Sequence, residues 1–169
     1  MGKKSTKENK NIYQIYREEM EYTREQASNI MEYITADRIQ KIENEKSLAH
    51  PDEILLMASC YQSPDLCHYY CSHECPIGKH YVPEVKMKEL SQITLEMLAS
   101  LNSLEKEKNR LIEITADGRI TEDEFHDFNM IRDQLNKISH SVNSLQLWLE
   151  KTIADGNLDK SILDSDNVK

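Results

Sequence analysis

Apolar positions along this chain recur at helical spacing. Ile12, Ile15, Tyr16 and Met20 follow Asn11 in three- and four-residue steps, which predicts a first helix capped by that asparagine. Thr23 opens a second, Arg24 to Met31, with Gln26 completing a capping box and Ala27, Ile30 and Met31 turned inward. A third starts at Thr35 and carries Ile39 and Ile42 on one face. Pro51 suits the first turn of a fourth, whose Ile54, Leu55, Met57 and Ala58 are apolar. A fifth short helix or turn cluster runs from Pro64 to Cys75, and Pro76 and Gly78 end it.

Beyond Val82-Pro83 the repeat changes. Leu90, Thr94, Met97, Leu101, Leu104, Lys108 and Leu111 alternate steps of four and three, as do Phe128, Ile131, Leu135, Ile138, Val142, Leu145 and Leu149. Two heptad-like helices follow, joined by a short link in which Gly118 stops the first and Thr121 with Glu124 caps the second. They should run antiparallel as a coiled-coil hairpin with that stripe inside. Ile93, Leu98, Ile112, Phe125 and Trp148 form a second stripe that asks for a partner, most simply an identical hairpin in a four-helix homodimer.

Composition agrees with an all-α fold, since only 4 Gly and 4 Pro are spread over 169 residues. No apolar run approaches a membrane span, and the lysine-rich start has no apolar stretch behind it, so a cytoplasmic protein without a membrane partner is expected, its four cysteines reduced or metal-bound. The net charge of -9 argues against nucleic acid only as an average. Residues 1–50 carry equal numbers of basic and acidic side chains, and the whole negative excess lies in 51–169. The expected parts are a basic arm (1–10), a helix-turn-helix domain (11–61), a cysteine-rich connector (62–83), the dimerising hairpin (84–156) and a flexible tail (157–169).

Two capped helices joined by the short link Glu32-Tyr33-Ile34 can lay the third helix in a major groove while the second crosses the backbone. Several pieces carry a specific resemblance: Thr23-x-Glu25-x-Ala27, Ile34-Thr35, Arg38-Ile39-x-x-Ile42-Glu43, Asn44-Glu45-Lys46 and Pro51-Asp52-Glu53-Ile54-Leu55-x-Met57-Ala58. On these, residues 12–61 resemble the DNA-binding domain of the xenobiotic-response-element family of phage-repressor and Cro type. Tyr70-Cys71 and Cys75-Pro76-Ile77-Gly78 extend the likeness to about residue 83. The resemblance implies a lambda-repressor-like five-helix bundle that binds double-stranded operator DNA as a dimer and regulates transcription. Arg24 stands where the family usually has Gln, and the turn lacks the family's Gly and is one residue longer. The positions carried over are Arg24 on phosphate; Thr35, Ala36, Asp37, Arg38 and Gln40 toward base edges; and Lys41 nearer the backbone. Arg38 suits guanine and Gln40 adenine, whereas Asp37 is repelled by phosphate.

Cys60, Cys67, Cys71 and Cys75 fall within 16 residues, with His68 and His73 among them. On a continuous helix the last three thiols share a face, where they could bind zinc or an iron-sulfur cluster; the competing reading is small buried side chains. An EF-hand-like run from Glu113 to Glu124 has poor ligands at its first and third positions, and its Ala-Asp-Gly core returns at Ala154-Asp155-Gly156. Both copies read as glycine helix stops. No Gly-rich phosphate loop, nucleophile elbow or framed carboxylate pair is present, so an enzyme is not expected. The main alternatives to a DNA-binding regulator are a protein-interaction module on the same scaffold and a thiol- or metal-responsive sensor.

Overall fold

The computed structural model describes residues 10–159; residues 1–9 of the expected arm and 160–169 of the expected tail lie outside them. Among the described residues the chain is all helical, and no helix is long and apolar enough to cross a membrane. It divides into two units, residues 10–84 with 150–159 and residues 85–149.

The first unit begins with α1 (Ile12–Glu19), α2 (Arg24–Met31), α3 (Ala36–Glu43) and α4 (Pro51–Cys60). Asn11, Thr23 and Thr35 cap the first three: their side-chain oxygens accept from Gln14, Gln26 and Arg38 N–H. Tyr13, Met31, Ile39, Ile42, Ile54, Met57 and Tyr61 meet in one core. The inward face of α1 differs from the apolar pattern, because Gln14 and Arg17 are buried beside Tyr13 while Ile15 is exposed. On α2, Ile30 likewise points outward, leaving Ala27 and Met31 to pack.

The helix ends explain how so few glycines suffice. Glu21, Glu45 and Gln62 adopt positive φ just past α1, α3 and α4. Each sits in a double-bonded stop: for α3, Glu45 N–H donates to Ile42 O and Lys46 N–H to Lys41 O, both at 2.9 Å. Glu32, in the α2–α3 turn, is different. Its φ of 60° and ψ of -38°, with Tyr33 N–H donating to Met31 O at 2.6 Å, make a strained γ-turn. Glu32→Gly is expected to raise stability by about 1 kcal/mol in urea unfolding, since glycine adopts this φ without steric cost.

Residues 62–83, expected as a connector, fold onto the same core. The reason is Leu66 on α5 (Asp65–Tyr69), which is fully buried there, with Cys67 and Tyr70 packed beside it. The helix widens into a π-helical segment, Tyr70–Glu74, and α6 (Gly78–Tyr81) folds back on it. The chain leaves this unit after Glu84 and rejoins it at Glu150, where Lys151 Nζ donates to Gln62 O at 3.0 Å.

The second unit holds α7 (Leu90–Thr115), and α8 (Phe125–Ala154) up to Leu149. Arg110 Nε, near the end of α7, meets Asp127 Oδ2, near the start of α8, at 2.7 Å across the link that joins them. The buried line matches the expected one only in part: Ile131 is buried as expected and Met97, Leu104, Leu111, Ile138 and Leu145 are half-buried. Ile93, Ser100 and Ile114 on α7 and Ile131, Ser141, Ser144 and Leu147 on α8 are buried, whereas Leu90, Leu101, Leu135 and Val142 are exposed. Serines can take inner positions because their hydroxyls are satisfied locally. Ser100, Ser141 and Ser144 Oγ donate to the carbonyls of Glu96, Lys137 and His140, four residues back, at 2.9–3.0 Å. Gly118 and Gly156, both at positive φ, end α7 and α8.

Candidate nucleic-acid interface

The face to be judged is built by α2 and α3. Ile39 and Ile42 seat α3 on the core, and Thr35, Asp37, Gln40 and Lys41 consequently stand outside, with Ala36 half-buried. Thr35 also holds the helix start, so its hydroxyl is shared between capping and any outside contact.

The cations of this face are engaged within the chain. Arg38 makes a two-pronged pair with Glu53, Nε to Oε1 at 2.6 Å and Nη2 to Oε2 at 2.7 Å, and its remaining donors reach Ser47 Oγ and Leu48 O. The fork ties α3 to the first turn of α4 and holds the Glu53 carboxyl below the usual carboxylate range. Arg38, expected to reach a guanine, is therefore a structural clasp here, its donors spent on its own chain. Lys41 Nζ lies 2.6 Å from Asp37 Oδ2, one turn away, which offsets the repulsion that aspartate would offer to phosphate.

Arg24, the expected phosphate contact, lies beside a buried centre. Glu43 is fully enclosed and receives Arg17 Nε at 2.6 Å, Arg17 Nη2 at 3.0 Å and Arg24 Nε at 2.7 Å. Arg17 is buried, while the Arg24 side chain keeps 30% of its surface, enough to present one edge of its guanidinium to solvent. The Glu43 carboxylate thus joins α1, α2 and α3 at the point where the helix pair must be rigid. Sequence reasoning quoted Glu43 as part of a motif without giving it this role; the signal was a glutamate directly after an inward isoleucine.

Cys60, Cys67, Cys71 and Cys75 are all half-buried free thiols. Burial pushes the Cys60, Cys67 and Cys71 thiols up, and Cys75 adds to the shift at Cys71, so these three favour the protonated form. Among the described residues no three His, Cys, Asp or Glu side chains are placed to hold a metal ion. The π-helical widening explains part of this, because it breaks the regular spacing on which one shared face depended. Cys75 Sγ instead accepts from Gly78 N–H at 3.4 Å, and the rings of Tyr69 and His73 stack at 4.6 Å.

No family model, curated protein or solved structure matches this chain.

Proposed function

We propose that the chain is a sequence-specific DNA-binding regulator in which α3 is the recognition helix. The observation that carries this reading is the α2–α3 pair. Both helices begin on side-chain caps, the connection is short, and the outward row of α3 is polar and uncovered while its inner row is locked to the core. The ion pairs of this face divide the labour. Gln40, exposed and in reach of a base edge, is the adenine reader; Thr35 and Ala36 shape the entry; Lys41 and the open edge of Arg24 serve the phosphates. Arg38 and Glu43 keep the reader in position. One such helix covers only a few base pairs, so two copies on half-sites about 34 Å apart are required.

Selection of bound DNA from a random pool tests the reading and should return a two-fold symmetric site. Gln40→Ala is expected to cost about 1–3 kcal/mol on that site without changing the urea midpoint, and Lys41→Ala to weaken all sequences alike and flatten the salt dependence. A pool that shows no enrichment refutes the proposal.

A second reading, a protein-interaction module, is favoured by one specific observation: Arg24, Arg38 and Lys41 each sit in an ion pair with a carboxylate of the same chain. Such a face lacks the open cationic stripe that drives counterion release on DNA. The same selection separates the two readings.

A further inference from the structure

The stripe expected inside the second unit lies partly on its outside. With Ile93, Ser100 and Ile114 turned inward, Leu101 and Lys108 on α7 are displaced to one flank of the buried line. At roughly 100° per residue, and with the antiparallel course expected of two helices joined by so short a link, Leu135 and Val142 on α8 fall on that same flank. An open groove of about 400 Å³ runs along it, lined by Leu101, Leu104, Lys108 and Leu111 with Asn102 and Glu105 at its edge.

We infer that this flank is the seam at which two copies of the chain meet, pairing their α7–α8 helices as a four-helix assembly. The inference supplies the two copies that the proposed regulator requires, and it rests on that reading for nothing else.

Three features select a second copy over other occupants. Leu101 and Lys108 on α7, and Leu135 and Val142 on α8, each stand seven residues apart, the heptad by which knobs of one helix enter holes of another, and an identical chain matches that spacing turn for turn. Charge is the second. Lys108 Nζ lies 2.6 Å from Glu105 Oε1, so the groove carries a neutralised pair that meets its own copy without like-charge repulsion and offers no net positive field to a nucleic acid or an anionic membrane. The third is size. From residue 90 to 111 the flank is about 30 Å long and two helices of about 10 Å wide, on the order of 600 Å² per copy, against roughly 800 Å² per partner in a standard stable interface.

The test is the mass of the full chain in solution, without DNA, by sedimentation at concentrations up to about 100 µM, with helix content followed by circular dichroism. Wild type should run at twice the 19.7 kDa chain mass. Leu101→Glu combined with Val142→Glu should run as a monomer of unchanged helicity, and Leu95→Glu, which alters an exposed leucine on the opposite side of α7, should remain a dimer. A monomeric wild type overturns the inference, as does a dimer that survives the double substitution or one that Leu95→Glu dissociates. Should the double variant lose helicity, the near-isosteric Val142→Thr decides: a dissociation constant raised about tenfold supports the seam, and an unchanged one overturns it. A wild-type dimer that selects no DNA refutes the regulator and leaves the seam standing; a monomer that selects DNA does the reverse.

Discussion

Glu43→Ala should lower the stability of the first unit by about 3–5 kcal/mol, a large part of the roughly 5–15 kcal/mol that holds a typical domain together. The cause is what the substitution leaves behind. Arg17, whose side chain keeps only 7% of its surface, loses both hydrogen bonds to Glu43 and stays as an enclosed cation, with Tyr22 O as its other hydrogen-bond acceptor and Glu18 Oε1 no nearer than 3.9 Å. Arg24 can swing its partly open side chain into water, so Arg24→Ala, which leaves the Arg17–Glu43 pair in place, should cost only about 1 kcal/mol. Urea unfolding of the two variants checks the ordering, and equal costs would show that the centre does not depend on burial. Because Glu43 sits where α1, α2 and α3 converge, its loss should also abolish the proposed DNA binding at temperatures where the wild-type chain is folded.

The second large effect is expected at Gly78. A Cβ added there would stand 2.0 Å from the carbonyl oxygen of Cys71 and 2.7 Å from its carbon, both backbone atoms that no rotamer change can move. Gly78→Ala must therefore lift α6 off the π-helical segment, breaking the Gly78 N–H contact to Cys75 Sγ, at an expected cost of about 2–3 kcal/mol. Gly118→Ala is the informative comparison. Nothing lies within 4 Å of that position, and only its φ of +72° opposes a side chain, so about 1 kcal/mol is expected. Thermal unfolding of both, with amide exchange at Lys79, His80 and Val82, separates collision from backbone strain. Faster exchange confined to those amides locates the damage at α6.

The helix starts were legible because capping is a local bargain between neighbours: Asn11, Thr23 and Thr35 each serve an N–H three residues on, and that spacing is written in the chain. The stops were not. Glu21, Glu45 and Gln62 occupy backbone regions usually left to glycine, and nothing in a glutamate announces a positive φ. The two long helices were legible as elements and their inward line only in part, since a hydroxyl bonded back to its own helix is invisible to a pattern that counts serine as polar. On the candidate face, the exposure of Gln40 and Lys41 followed from helical period alone. The engagement of Arg38 did not, because its partner Glu53 lies 15 residues away on another helix and pairing at that range is a property of the fold.

The way the chain crosses between its units bears on where it can be cut. A border read along the sequence at Val82-Pro83 suggests that everything before it is a separable DNA-binding piece. Yet the first unit is completed by the last turn of the second long helix: Glu150 lies against His68, and Lys151 holds the chain just past α4. In topological terms residues 85–149 are an insertion within the first unit. A fragment ending near residue 83 would omit part of the body it was meant to isolate, whereas excision of 85–149 with its ends rejoined would keep every segment of that body in one chain.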